Sequence, residues 1–146
     1  MEEDIPVSSY KFLEHTADAK FRAFGDSLEE AFGNAALALV SLMWKWQRTK
    51  KKTSKRIEVA GRDLHQLLSV YLEEVLFLFE SEGFLLAAVE RLEIEEGDEG
   101  YSLRAWLQGD LDDGEYEVYG DVKAITYNEM RVEMNDSCFV QVVVDI

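Results

Sequence analysis

The sequence has little of what marks secreted or membrane-bound proteins. Its 146 residues include one cysteine, Cys138, so an intramolecular disulfide is excluded and a reducing compartment is expected. No apolar run reaches 18 residues, so no transmembrane helix is predicted. The acidic start, MEEDIPVSSY, lacks the basic and apolar regions of a signal peptide. Together these features predict a cytoplasmic protein without membrane contact.

Basic residues are also scarce. Fifteen lysines and arginines stand against 30 acidic residues, a formal net charge of −15. Such a surface repels phosphate over most of its area, so direct sequence-specific nucleic-acid binding is not expected. The acidity suits either solubility or a partner with a basic surface. Seven of the fifteen basic residues fall within positions 45–56. We interpret this run as a solvated loop, with a contact between Lys50–Lys52 and RNA as the alternative.

The usual signatures of catalysis are missing. Neither GxxxxGK[ST] nor GxGxxG is present, which weighs against a standard nucleotide site. One cysteine and two histidines lack the paired spacing of a zinc site. A Ser-His-Asp triad is open on composition, but no GxSxG elbow points to one. Cys138 lies in an alternating strand, where a small core residue is favoured over a nucleophile.

What the chain does have is enough apolar residues for a core, 47% of the total. Alternating runs predict strands at YKFLEH, AKFRAFG, RIEVAG, FLLAAVERLEIEE, YSLRAWLQG, YEVYGDVKAITYNEMRVEM and SCFVQVVVDI. Two segments of helical period begin at the capping boxes Ser27/Glu30 and Asp63/Gln66. This order indicates an α+β fold, with two helices packed against layered, mostly antiparallel sheets. The length predicts one domain over residues 1–146.

The two helices differ in their expected burial. The first has an apolar stripe on one face, made of Leu28, Phe32, Ala35, Leu39, Leu42 and Trp46. Trp44 falls near the opposite side, where it is either packed against another element or exposed to a partner. The second helix is apolar on most sides, with Val70 and Phe77 outside its main face. That distribution predicts a helix buried between two layers.

Two acidic residues border apolar strands. Asp18 ends HTAD, just before AKFRAFG, and Asp145 follows three valines in the terminal VVVDI. If the strands beside them are neighbours, their side chains and the terminal carboxylate of Ile146 would converge. Anionic oxygens held together repel one another, and they suit a hard cation, either Ca²⁺ or Mg²⁺. The alternative is a turn residue and a solvated chain end.

Taken together, these segments resemble the archease family. The matching stretches are YKFLEHTADAKFRAFGDSLEEAFGNAALAL, LLSVYLEEVLFLFESEGFL, VKAITYNEMRVE and VVVDI, in the family's order. The resemblance implies a cytoplasmic protein, not itself an enzyme, that assists the RtcB-type RNA ligase in tRNA splicing. It would promote guanylylation of the ligase and its repeated turnover. It also implies a divalent cation, calcium in the family, bound by Asp18, Asp145 and Ile146.

This chain departs from the family pattern at one position, and two other functions compete with ligase activation. Many archeases have T-Y-H where this chain reads Thr126, Tyr127 and Asn128. Asparagine cannot carry a proton near neutral pH, so a proton-transferring role does not transfer to this chain. A second function attached to the family is that of a chaperone or specificity modulator of tRNA-modifying enzymes such as methyltransferases, with possible tRNA contact. A metal-dependent hydrolase would need a general base beside the metal, and no residue is committed to that role.

Overall fold

The computed structural model describes residues 9–15 and 18–146. Along these residues the elements are β1 (Tyr10–Leu13), β2 (Ala19–Gly25), α1 (Leu28–Ser41), a 3₁₀ turn (Trp46–Arg48), β3 (Thr53–Gly61), α2 (Leu64–Glu82), β4 (Phe84–Gly97), β5 (Gly100–Leu111), β6 (Ala124–Met134) and β7 (Cys138–Asp145). The strands form two sheets, in the orders β1-β2-β7-β6 and β3-β5-β4. The paired strands run antiparallel. The predicted α+β class is confirmed.

Both helices lie in contact with both sheets. Helix α1 packs on β2 and β7 of the four-stranded sheet and on β4 of the other, while α2 packs on β6 and on β3, β4 and β5. Fully buried side chains from each layer meet in one core, among them Phe21, Phe32, Leu39, Leu72 and Val142. Burial of these apolar surfaces is the main force that holds the layers together.

Both helices begin at the predicted capping residues. The Ser27 hydroxyl accepts a hydrogen bond from the Glu30 main-chain N–H (3.1 Å), and the Glu30 carboxylate accepts one from the N–H just before Ser27 (2.6 Å). The carboxylate of Asp63 accepts from the N–H of Gln66 (2.8 Å) in the same way. These bonds satisfy N–H groups that the first helical turn leaves without partners. Gly83 closes α2 in the left-handed conformation, at φ +70°, which glycine adopts without steric cost.

The first helix is shorter than its apolar stripe predicted. It ends at Ser41, and Trp46 begins a separate 3₁₀ turn. The chain leaves the helix so that Trp44 enters the core, where it is 1% exposed. Its ring Nε1 donates a hydrogen bond to the carbonyl oxygen of Leu86 (3.0 Å), and its ring lies 4.8 Å from that of Phe79. The packed interpretation of Trp44 is therefore confirmed, and the helical extension to Trp46 is wrong.

The strand predicted at YEVYGDVKAITYNEMRVEM is also shorter than expected, because β6 starts at Ala124. The preceding segment closes the end of α1 instead. The Tyr119 N–H donates to the carbonyl oxygen of Met43 (2.9 Å), and the Tyr119 hydroxyl donates to that of Ser41 (2.8 Å). Gly120 lies so close to Leu42 that a side chain there would collide with the Leu42 carbonyl. Satisfying these helix-end carbonyls outweighs the local strand pattern.

The second helix is less enclosed than its composition predicted. Leu68, Tyr71 and Leu72 are fully buried, but Phe77 is 56% exposed and Val70 is half-buried. The prediction of burial between two layers is therefore wrong along one side of α2. None of the helices in the described chain is both long and apolar enough to cross a membrane.

Candidate metal centre

Two of the predicted ligand positions lie at the same end of the four-stranded sheet. Strands β2 and β7 are antiparallel neighbours, and Ala19 has Val144 as its partner. Asp18 precedes Ala19 and Asp145 follows Val144. The antiparallel register therefore places the two aspartates side by side, at the same end of neighbouring strands. Ile146 follows directly. The neighbouring strands that the sequence hypothesis required are therefore β2 and β7.

The backbone beneath these carboxylates is well anchored. Val142, Val143 and Val144 are fully buried. The Asp145 carbonyl accepts a hydrogen bond from the Lys123 N–H (2.7 Å). The side chains at the end itself remain accessible, since Asp18 is half-buried, Asp145 is exposed and Ile146 is 47% exposed. Acidic groups are thus held on a fixed strand end in contact with solvent.

The donor set is restricted to oxygen. Among residues 9–15 and 18–146, no group of three or more His, Cys, Asp or Glu side chains is arranged to hold a metal. The predicted ligand set contains only two such side chains, because its third member is expected to be the terminal carboxylate of Ile146. Oxygen donors of this kind fit a hard cation such as Ca²⁺ better than a softer metal.

A second charged cluster joins Lys20 of β2 and His15 to Glu129 of β6, and it was not predicted from the sequence. The Lys20 ammonium is 2.8 Å from the Glu129 carboxylate, and His15 Nε2 is 3.5 Å from the same carboxylate. The hydrogen bond from Lys20 is the main cause that lowers the pKa of Glu129, and His15 contributes less. Lys20 is the second residue of β2, and Asp18 directly precedes that strand. The cluster therefore borders the candidate metal centre.

Glu129 reaches this position through a bulge in β6. The register of β6 with β7 is broken between Thr126 and Arg131, and Glu129 has φ 53°, which is uncommon for a residue other than glycine. The buried amide of Gln141 supports the bulge. Its Nε2 donates to the Glu129 carbonyl (2.8 Å), and its Oε1 accepts from Arg22 Nη2 (2.6 Å). No glycine or proline marks the bulge in TYNEMR, so the bulge could not be predicted from residue types.

Asn128 lies within this bulge and is exposed. Its main-chain N–H donates to the Thr126 hydroxyl (3.3 Å), which in turn donates to the Val143 carbonyl (2.8 Å). Tyr127 beside it is 57% exposed. The bulge thus presents Tyr127 and Asn128 to solvent while its backbone is tied to β7.

The basic run lies between α1 and β3 and leads into the three-stranded sheet. Lys50–Lys52 are exposed, as the loop interpretation expects, although Thr53 already begins β3. Lys45, Arg48 and Lys50 line a cavity of about 340 Å³ together with Glu115 and Glu117. The basic run therefore faces acidic residues of the segment after β5, which offset part of its charge.

The architecture is that of a small α+β protein in which two antiparallel sheets enclose two helices and paired strand ends carry carboxylates. The chain matches the Archease protein family (MTH1598/TM1083) over residues 10–146. It is 40% identical over 128 residues to the protein archease of Pyrococcus abyssi, covering 87% of this chain and 89% of that protein. With the protein archease of Pyrobaculum neutrophilum the identity is 38% over 142 residues, covering 95% and 96%.

A solved structure agrees with these relatives. The solution structure of Methanobacterium thermoautotrophicum protein 1598 superposes with a TM-score of 0.81 at 30% identity, covering 94% of this chain and 99% of that one. The chain belongs to the archease family, which confirms the resemblance seen in its sequence.

Proposed function

We propose that this archease is an accessory activator of an RtcB-type RNA ligase in tRNA splicing, promoting guanylylation of the ligase and its multiple turnover. In this proposal Asp18, Asp145 and the Ile146 carboxylate hold a divalent cation, calcium, at the end of the sheet. Membership of the family supports the ligase role. The observation that carries the cation site is the pairing of Ala19 with Val144, because it brings the two aspartates to neighbouring positions.

The chemistry of the three groups supports calcium. Each supplies anionic oxygen, and Ca²⁺ accepts roughly six to eight oxygen ligands in loose geometry. Three carboxylates do not complete such a shell unless all bind through both oxygens. Positions therefore remain for water or for oxygen atoms of a partner. A cation bound here would also neutralise part of the repulsion among the carboxylates.

The chain's own contribution is binding and presentation. The buried valines of β7 and the hydrogen bond from Lys123 to Asp145 fix the backbone on which the carboxylates stand. The net charge of −15 favours encounter with a basic, RNA-binding cleft, since complementary potentials raise association rates. The reacting groups, including the histidine that becomes guanylylated, belong to the ligase in this proposal.

One observation favours the alternative function. A chaperone or specificity modulator of tRNA-modifying enzymes would depend on exposed apolar surface more than on a cation. Phe77, Tyr127 and Met134 are each more than half exposed. Such a role predicts that changes at these side chains matter while changes at Asp18 do not.

Ligase turnover tests the proposal. RNA joining is measured with limiting ligase in the presence of wild type, Asp18→Ala, or Asp98→Ala as a matched change in the exposed turn after β4. We expect wild type and Asp98→Ala to support many joined products per ligase, and Asp18→Ala to support few. If wild type does not stimulate, the ligase function is wrong. If Asp18→Ala stimulates fully, the cation site is wrong.

A further inference from the structure

A groove runs along the open side of α2. It has a volume of about 500 Å³ and is bounded by α2, β3 and the start of β6. Its apolar lining includes Val59, Val70, Phe77 and Ile125. Phe77 is 56% exposed, so a large aromatic surface in the middle of a helix is in contact with water. The groove therefore offers an apolar floor that this chain does not cover.

Acidic residues form the rim of the groove. Glu73, Glu74 and Glu80 line it from α2, against the single basic lining residue Lys123. Among the ion pairs of the described residues, none includes one of these three glutamates. Their carboxylates are thus free to meet cationic groups from outside. An apolar centre with a charged rim is the common anatomy of a protein-binding surface.

The negative charge of the groove favours a basic partner over a second copy of this chain. A second copy of this chain would bring another glutamate rim and another net charge of −15, so self-association through this surface is opposed by repulsion. A segment with an apolar side chain flanked by lysine or arginine is complementary in both respects. Helical grooves commonly bind amphipathic segments of this kind.

The groove adjoins the candidate metal centre. Lys123 and Ala124 line its β6 side. The Lys123 N–H donates to the Asp145 carbonyl (2.7 Å), and Ala124 is the strand partner of Asp145. A segment bound in the groove would therefore lie beside the end of β7, and one partner surface can cover both.

We propose that the α2 groove is the docking site for a basic amphipathic segment of the partner protein, which packs an apolar side chain on Phe77 and pairs its cationic groups with Glu73, Glu74 and Glu80. The inference rests on the proposed function, because the partner is taken to be the ligase. It adds the surface that holds the partner while the strand end faces the partner's active site.

Binding to the ligase is measured for Phe77→Ala and for the double variant Glu73→Lys/Glu80→Lys. Matched controls are Met134→Ala, also at a side chain 57% exposed, and Glu95→Lys/Glu99→Lys on the β4–β5 hairpin. We expect Phe77→Ala to weaken binding on the order of tenfold or more, as for a central aromatic anchor. The groove charge reversal should weaken binding most at low salt. The controls should bind like wild type, and all variants should keep wild-type calcium affinity and a cooperative melting transition.

A second arm is independent of the ligase. Fluorescent peptides of about 18 residues with a leucine face, flanked either by lysine or by glutamate, are titrated into the same variants. We expect the lysine peptide to bind wild type and both controls, and to bind the groove variants on the order of tenfold more weakly. The glutamate peptide should bind none of these proteins. If wild type does not bind the ligase but the peptides bind as expected, the proposed function is refuted. The groove would then remain a docking site for another basic partner.

The inference is overturned if neither ligase nor lysine peptide distinguishes the groove variants from their controls. In that case full ligase stimulation by every variant would leave the proposed function standing. Sedimentation of wild type as a dimer that Phe77→Ala dissociates would also overturn it, because the occupant would then be a second copy.

Discussion

Ala19 of β2 and Val144 of β7 are direct partners across an antiparallel pair, and the next residue beyond each is an aspartate. Two carboxylates at one strand end repel each other when no cation is present, because both carry negative charge. A ligand that binds only the folded state stabilises it by mass action, and a bound cation would offset the repulsion between the two carboxylates. The proposed cation site therefore predicts that the stability of this protein depends on calcium through Asp18.

Substitution of Asp18 by asparagine removes one charge at nearly constant size. Without calcium we expect Asp18→Asn to melt at or above the wild-type temperature. With free calcium about a hundredfold above its Kd, wild type should gain ~2.7 kcal/mol, a Tm rise of roughly 5–10 °C for a chain of this size. The variant should gain much less. Melting curves in chelator and in calcium make the test, with Asp98→Asn as control. Equal calcium shifts in Asp18→Asn and wild type would show that Asp18 is not a ligand.

The core gives a prediction that does not depend on function. Leu39 and Leu68 are fully buried, one in each helix. An aspartate at either position would bury a charge without a partner, at a cost of about 4–5 kcal/mol or more, which is a large fraction of the roughly 5–15 kcal/mol that stabilises a typical domain. We expect Leu39→Asp and Leu68→Asp to lose the cooperative transition in circular dichroism. Leu111→Asp, at a side chain 45% exposed, should keep it. Wild-type melting of Leu39→Asp or Leu68→Asp would contradict the assigned helix faces.

The features that the sequence predicted correctly are local ones. Ser27 and Asp63 mark the helix starts because each capping bond joins residues three positions apart. The inner apolar faces of the helices follow from side-chain periodicity in the same way. For the candidate metal centre, the residue types were visible in HTAD and VVVDI, but the pairing of β2 with β7 joins segments more than a hundred residues apart. Their proximity was a hypothesis until the register was known.

The features that were missed depend on contacts distant in sequence. Trp44 leaves the helical path because its ring is buried and bonded to Leu86, and nothing within the helix indicates that contact. The bulge at Glu129 is supported by Gln141 from the neighbouring strand. The apolar run of α2 predicted full burial, yet Phe77 lies on a side that no other described element covers. In each case tertiary packing outweighs a local pattern.

The pair formed by Lys20 and Glu129 predicts a pH dependence. Because Lys20 lowers the pKa of Glu129 below its ordinary value of 4.5, the pair stabilises the fold fully above that value. The stabilisation is lost as the pH falls through the lowered pKa of the folded state. We expect Glu129→Gln to melt below wild type at pH 7 and the difference to shrink toward pH 3. A difference that stays constant over this range would show that the carboxylate charge contributes nothing.

The exposed lysines of the basic run give a test of RNA contact. Changing Lys50, Lys51 and Lys52 together to serine should alter ligase stimulation by less than about twofold, since the run is solvated and faces acidic residues. Stimulation is measured at two salt concentrations. A large loss that becomes smaller at high salt would indicate an electrostatic contact with RNA or ligase. A large loss independent of salt would contradict the loop interpretation altogether.

The end of β7 provides the most selective test of the cation site. Deletion of Ile146 moves the main-chain carboxylate onto Asp145, and amidation of Ile146 removes its charge without shortening the chain. Both changes should weaken calcium binding on the order of tenfold or more, because affinity follows the number of charged ligands. The fold should persist, since Ile146 is 47% exposed while Val142–Val144 beneath it are fully buried. Ile146→Val keeps the carboxylate and the length, so it should bind calcium like wild type. Titration calorimetry of the four proteins separates the possibilities. If the amidated protein binds calcium like wild type, the carboxylate of Ile146 is not a ligand, and any cation held there depends on Asp18 and Asp145 alone.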